Sequence, residues 1–387
     1  HEPATSNQQQ SPGASMKLAI VAGEASGDLH ASEVIRELKQ LAPVEAFGIG
    51  GDLLEREGVT LLHHAREMGI IGLFNVLRHL PMFRRVFKEL IARIETERPD
   101  VVFLIDYPEF NLRVAKRCKE LGLRVVYYIS PQLWAWRKGR VRHVARYVDR
   151  MVVIFPFEED FYRSHDVPVT YVGHPLIEQL SHIVRPPHDP AVLRIALLPG
   201  SRRMEVHSLL PPMLDAVALL RREGVDGRRV EASIIQAPTI HRHTLERIVA
   251  EKGVEVDIVP NDQGEAVAAA DVSLSSSGTA TLESAVLGTP VVVMYRLSPA
   301  TYFLAKKLVR LPHFSLVNIV AGRNVVPELI QDDVNGPRIA AEVRKLVAPG
   351  TYEEVCAALA DVRAKLGQPG TAARVAQEII TMVPGAS

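Results

Sequence analysis

Short uninterrupted apolar runs recur along this chain, each closing on glycine, serine or a carboxylate and each followed by residues at helical spacing. This alternation restricts the fold more than any other feature. Apolar runs such as KLAIVA (17–22), VVFLI (101–105) and LRVVYYI (123–129) suit strands buried on both faces, and the intervening ASEVIRELKQL and LRVAKRCKELG suit the crossover helices of a parallel sheet. The same order restarts in LRIALLPGSRRMEV, RVEASIIQAP, VEVDIVP, DVSLSSSG and TPVVVMYR. Between the two series lies HIVRPPHDPAV (182–192), whose proline and histidine content breaks both periodicities. The expected architecture is therefore α/β, with two Rossmann-like doubly wound domains of residues 16–181 and 193–350 facing across a cleft and joined by a 182–192 linker. Residues 351–387 form two further helical stretches, expected to return to the first domain, to cap the second or to be swapped in a homodimer. The polar opening, HEPATSNQQQSPGAS (1–15), is expected to be a disordered leader ahead of a natural start near Met16.

Composition excludes some functions. Lysine plus arginine equals aspartate plus glutamate at 45 each, so no overall basic field points to nucleic acid. The two cysteines have no metal-ligand spacing and suit a reducing, cytosolic compartment. No stretch reaches the roughly 18 apolar residues of a spanning helix.

Several loops carry chemistry. In LLPGSRR (197–203), Gly200, Ser201 and Arg202 lie between a strand and a helix, where backbone N–H groups and a guanidinium can hold phosphate; an ordinary turn with exposed arginines fits as well. The Walker spacing is missing. SLSSSGTATLESAVLGTPVVV (273–293) repeats the device, with Ser277, Gly278 and Thr279 at a helix start and Glu283 about one turn on, placed to accept from ribose hydroxyls. Two anion-ready loops in one domain suggest a nucleotide diphosphate. Asn318 and Arg323, in FSLVNIVAGRNVVPELIQDD (314–333), could read a pyrimidine edge and neutralise phosphate, or Asn318 could satisfy a loop backbone.

In the first domain, Gly23, Glu24, Ser26 and Asp28 form a loop whose carboxylates suit sugar hydroxyls better than phosphate. Asp106 ends the apolar run of VVFLIDYPEFN (101–111), a costly place for a charge unless it is a turn cap or has a use. Glu109 is a second carboxylate three residues on. Two stretches are apolar and basic together. One, MGIIGLFNVLRHLPMFRRVFKEL (68–90), holds Ile70, Ile71, Leu73, Phe74, Leu77, Met82, Phe83 and Arg84, with Pro81 expected to interrupt its helix. The other, ISPQLWAWRKGRVRHVARYVDR (129–150), holds Trp134, Trp136 and Arg137. Both fit contact with a phospholipid surface; a buried helix pair and a solvated helix face are the plainer alternatives.

Taken in order, VAGEASGDLH, MGIIGLFNVLRHLP, LIDYPEFN, ISPQLWAWRKGRVRHVARYVDR, LPGSRRMEV, SSSGTATLESAVLGTP and FSLVNIVAGRNVVPELIQDD resemble the bacterial lipid-A-disaccharide synthases over nearly everything from Lys17 to Asp333. The resemblance implies a glycosyltransferase B fold and the joining of UDP-2,3-diacylglucosamine to 2,3-diacylglucosamine 1-phosphate through a β(1→6) bond, with inversion and release of UDP. It implies a peripheral protein on the cytoplasmic face of the inner membrane. The sequence shows no paired carboxylates to hold Mg²⁺ against a diphosphate, so a reaction without metal or cofactor is expected. The resemblance also implies Asp106 as general base, Arg202 and Asn318 at the donor site, and Glu283 on the ribose. Gly23, Glu24, Ser26, Asp28 and Asn111 are expected on the acceptor side. The chain departs from the family pattern at Tyr107, Glu109, Gln132 and Leu133. A UDP-sugar 2-epimerase of the same fold would share the phosphate loops but need no lipid surface, and a non-catalytic nucleotide-sugar or lipid-binding module would tolerate Asp106→Ala.

Overall fold

Five or more consecutive apolar residues cannot leave one face of a strand in water, so the predicted runs form central strands covered by helices on both sides. The computed structural model describes residues 15–69, 76–136, 138–261, 264–297 and 313–383. They divide into two units: the chain up to Val172 together with the segment from Gly370 onward, and Gly173–Pro369.

The first unit is built on β1 (Met16–Ala22), β2 (Val44–Gly50), β3 (Thr60–His64), β4 (Val101–Ile105), β5 (Arg124–Tyr128), β6 (Arg150–Val153) and β7 (Val169–Tyr171). Their order is β3-β2-β1-β4-β5-β6-β7, parallel throughout. The second unit holds β8 (Val192–Leu198), β9 (Arg229–Gln236), β10 (Asp257–Pro260), β11 (Val272–Ser276), β12 (Val291–Tyr295) and β13 (Glu328–Ile330), in the order β10-β9-β8-β11-β12-β13, again parallel. Each sheet thus reverses direction at one point, between β1 and β4 and between β8 and β11. Ligands of open α/β sheets bind at the carboxyl ends of the strands flanking such a point. β3 and β13 go beyond the predicted set; both are edge strands without a continuous apolar run.

The helices of the first unit are α1 (Ala25–Leu41), α2 (Asp52–Arg56), α3 (Ala65–Gly69), α4 (Val76–Glu97), α5 (Pro108–Glu120), α6 (Leu133–Trp136), α7 (Val141–Tyr147) and α8 (Pro156–Arg163). In the second unit they are α9 (Pro175–Gln179), α10 (Arg203–Glu223), α11 (Arg242–Lys252), α12 (Glu265–Ala268), α13 (Thr279–Val286), α14 (Leu316–Ala321), α15 (Gly336–Leu346) and α16 (Thr351–Lys365); α17 (Thr371–Thr381) returns to the first. α4 runs on through Pro81, contrary to expectation. The proline is the sixth residue of the described helix, where its missing N–H removes a single bond.

The domain boundary also differs from the expected one. It falls at Val172 and Gly173, ahead of the 182–192 stretch, which is strapped to the second unit. Arg185 donates to the carbonyls of Gly288 (2.5 Å) and Ala270 (2.9 Å) and to the Tyr352 hydroxyl (2.7 Å). His188 pairs with Asp271 at 2.6 Å. Proline removes periodicity without removing attachment. The C-terminal helices part company: α16 stays with the second unit, and α17 packs on α1 and β6 of the first. There Arg374 donates to Val172 O (2.7 Å), Arg124 to Met382 O (2.6 Å), and Arg150 pairs with Glu378 (3.3 Å).

Candidate active site

At the first switch point, Ala22 of β1 lies in register with Ile105 of β4, so Gly23 and Asp106 leave the sheet side by side. Gly23 is a glycine for want of room: a Cβ there would come within 2.6 Å of the Tyr107 ring. Asp106 (φ 45°) and Tyr107 (φ 51°) are both left-handed, two non-glycine residues in succession. Each costs about 1–3 kcal/mol, and such strain persists only where neighbours enforce it. The Asp106 N–H donates to Tyr128 O (3.0 Å), while its carbonyl accepts from Asn111 Nδ2 (2.7 Å) and the Tyr127 hydroxyl (2.6 Å). Asn111 Nδ2 also donates to Ile105 O at 3.0 Å.

Burial pushes the Asp106 carboxyl up to about 6, and the negative charge of Glu24 adds to the shift. The Tyr107 N–H and His30 pull it partly back. Glu109, the rival carboxylate, has its side chain 65% exposed and lies 2.5 Å from Arg140. The two acids are therefore distinct. One is half-buried with its carboxyl raised; the other is a surface ion-pair partner.

Two expected acceptor-side residues prove structural. Asp28 is buried and caps α2, accepting from the N–H groups of Gly51 (2.6 Å), Leu53 (3.0 Å) and Leu54 (3.2 Å). Three donors around a helix terminus occupy most of its lone pairs, and burial keeps it from a sugar in solution. Asn111 is fully buried and grips the carbonyls at the end of β4, so it shapes the Asp106 turn instead of facing a ligand. Glu24 and Ser26 remain exposed at the start of α1.

At the second switch point, Leu198 of β8 is in register with Ser275 of β11. Two helix starts emerge there, and they differ. At α10, Gly200 (φ 111°) turns the chain, and a Cβ on it would meet Glu205 Oε2 at 2.5 Å. Glu205 folds back to accept from the Arg202 N–H (3.3 Å) and guanidinium (2.8 Å), so this terminus already holds a carboxylate. Ser201 is exposed, and the Arg202 side chain is 82% exposed. At α13, the cap is Gly278 (φ 152°), no side chain caps the terminus, and the first turn holds no acid. Its orphan N–H groups and positive dipole end suit an incoming anion. The serines before it are not equivalent. Ser273 donates to Ser284 Oγ (2.9 Å) and Ser275 to Ser276 O (2.9 Å), both buried, which leaves Ser277, Gly278 and Thr279 at the surface end. Glu283 is half-buried one turn along α13.

Asn318 does not read a base. It is fully buried, with Oδ1 accepting from the N–H groups of Val325 (2.7 Å) and Val326 (3.0 Å), and Nδ2 donating to Val326 O and Glu328 (both 2.9 Å). An amide with all four bonds made has nothing to offer a ligand. Glu328, not singled out in the sequence, completes this clamp by accepting from the N–H groups of Phe314 and Ser315. Arg323 is exposed in the turn after α14.

Among the expected lipid contacts, Trp134 is a core residue: it is 9% exposed, donates from Nε1 to Glu158 (3.2 Å) and stands edge-on to Phe157. Met82 and Phe83 are half-buried against the first unit's core, and Arg84 is exposed. Ile70, Ile71, Leu73, Phe74 and Arg137, and the side chains of Leu77 and Trp136, lie outside the described residues. Among the described residues, no helix is long and apolar enough to cross a membrane.

Two parallel sheets, each with its candidate residues at the switch point, define a two-domain α/β enzyme of the glycosyltransferase B fold. Solved structures bear this out: a 2-epimerase from Listeria monocytogenes, described as a putative UDP-N-acetylglucosamine 2-epimerase, matches with TM-score 0.64 over 95% of this chain and 96% of that one at 13% identity. MurG of Acinetobacter baumannii matches with TM-score 0.60 over 95% and 100% at 14% identity. At such identities they show the fold alone. Sequence decides the family. The family model described as Lipid-A-disaccharide synthetase matches residues 18–372. The lipid-A-disaccharide synthase of Anaeromyxobacter dehalogenans (strain 2CP-1 / ATCC BAA-258) is 43% identical over 96% of this chain and 98% of its own. That of Myxococcus xanthus (strain DK1622) is 41% identical over 95% and 98%. The chain belongs to the lipid-A-disaccharide synthetase family, and it is a glycosyltransferase.

Proposed function

We propose that this enzyme transfers 2,3-diacylglucosamine from UDP-2,3-diacylglucosamine to the 6-hydroxyl of 2,3-diacylglucosamine 1-phosphate, with Asp106 as general base. The carrying observation is a half-buried carboxyl at the first switch point, raised to about 6 and fixed on a strained turn. An alcohol is a weak nucleophile, and a carboxylate within hydrogen-bond reach takes its proton as attack proceeds. The hydroxyl oxygen bonds to the anomeric carbon while the bond to the UDP oxygen breaks, through an oxocarbenium-like transition state, with inversion. The departing diphosphate is received at the start of α13 by Ser277, Gly278 and Thr279, with Arg202 and Arg323 as exposed cations and Glu283 on the ribose. Glu24 and Ser26, exposed beside Gly23, contact the acceptor sugar.

The acylated substrates point to work at the cytoplasmic face of a phospholipid membrane. The exposed Arg84, Arg142 and Arg146 of the first unit suit its anionic surface. The decisive assay supplies both acylated sugars and follows the products. A tetraacyl disaccharide 1-phosphate should form in step with UDP. Conversion of the UDP-sugar to its 2-epimer, with no disaccharide, would overturn the proposal in favour of the epimerases that share the fold.

A further inference from the structure

The loop on the other side of Asp106 has no part in the reaction just described, yet it is held with unusual care. β5 ends at Tyr128 in register with Ile105, so residues 129–134 leave the sheet next to Asp106. Ile129 has φ 61°, a left-handed conformation that a β-branched residue rarely adopts. Behind it, one carboxylate on α8 gathers the loop. Glu158 is 2% exposed. Its Oε1 accepts from Trp134 Nε1 and its Oε2 from the Phe155 N–H, both at 3.2 Å. The Ser130 hydroxyl donates to Pro131 O at 2.9 Å, and its Oγ lies 2.8 Å from the Tyr162 hydroxyl. The indole of Trp134 packs edge-on against Phe157, which stacks on Phe155.

A glutamate at this position of a helix commonly reaches back to the cap N–H, and it can do so from the surface. Glu158 is buried instead, and burial pushes its carboxyl up to about 7. Burying an acid is unfavourable unless its lone pairs are engaged. Here they engage the Trp134 indole and the Phe155 N–H.

We propose that Glu158 is a positioning residue for the acceptor sugar: through the Trp134 indole it fixes the 129–134 segment as the wall of the acceptor pocket beside Asp106. This rests on the reading of the first unit as the acceptor side. It gives the fully buried acid of α8 and the indole of Trp134 a joint function that neither has alone.

The test measures KM for each acylated sugar, kcat and the thermal midpoint in the full-length enzyme. Glu158→Ala leaves the buried donors of Trp134 and Phe155 unpaired, and acceptor KM should rise on the order of tenfold or more, with donor KM within about twofold of wild type. Glu158→Gln, whose amide oxygen still accepts from one donor, should recover part of the loss. Trp134→Phe keeps a ring but removes the Nε1 donor; it should raise acceptor KM about fivefold, and its effect should not add to that of Glu158→Ala. A fall in thermal midpoint with acceptor KM unchanged would make Glu158 a fold residue only and overturn the proposal. A rise in donor KM with acceptor KM unchanged would instead refute the first unit as the acceptor side. If Glu158→Ala does not fold, Trp134→Phe decides: a wild-type acceptor KM in that variant sinks the idea.

Discussion

The two switch points share a topology and differ in everything that chemistry can read. In the first, the strand ends carry carboxylates, Glu24 and Asp106, on a turn with two left-handed non-glycine residues held from behind by Asn111 and Tyr127. In the second, the strand ends carry glycine and hydroxyl residues, and α13 starts with no capping side chain and no acid. One site is built to hold a charge the protein supplies; the other leaves room for a charge the ligand brings. A parallel sheet provides the same ledge each time, and the residues set upon it make the first suited to a proton and the second to an anion.

The sharpest way to break the contrast is Asp106→Asn, which keeps the turn and removes the base. We expect kcat to fall about 10²–10⁴-fold with both KM values near wild type. The variant should also be more stable at neutral pH. The Asp106 carboxyl titrates near 3.8 when unfolded and about 6 when folded, so burial opposes its ionisation. The resulting penalty is absent well below pH 4, grows between about pH 4 and 6 and levels off at about 3 kcal/mol above that. Asparagine escapes it, so chemical denaturation at pH 8 should show the gain and at pH 4 should not. In wild type, kcat/KM should drop about tenfold per pH unit below about 6. A flat acid limb would remove Asp106 as the base.

At the second switch point, Thr279→Asp places a fixed negative charge at the α13 start. Stability should rise by about 0.5 kcal/mol through the helix dipole, while donor KM rises about tenfold by repulsion of the diphosphate. Opposite signs in melting and in donor KM are the signature; an unchanged KM would move the diphosphate elsewhere. The smallest effect is expected from Glu109→Ala. Removing a surface ion pair should change kcat by less than about threefold. A loss matching that of Asp106→Asn would transfer the base role to Glu109.

Strand ends were legible because a fully apolar run has one fate, and Asp106 stood out because it interrupted such a run. What stayed hidden was the partner of each polar residue. Asp28, Asn111 and Asn318 look like ligand contacts by type and loop position, yet their bonds go to backbone groups that the fold alone brings near. Glu158 was hidden for the opposite reason: in FEEDF nothing marks which acid turns inward. Trp134 resembled a lipid anchor until its indole N–H was seen to have a buried acceptor. The 182–192 stretch reads as a spacer by composition, and only the three bonds of Arg185 show that it is fastened down.

The return of α17 to the first unit carries a consequence for biogenesis. As the chain leaves the ribosome, β1 to β7 are complete long before α17 is made, because the whole of Gly173–Pro369 is translated in between. Until then the surface of α1 and β6 that α17 covers has no lid, and the bonds of Arg124 and Arg374 to it are unmade. The first unit therefore waits, partly open, for the second to be synthesised, a window in which chaperone capture competes with misassembly.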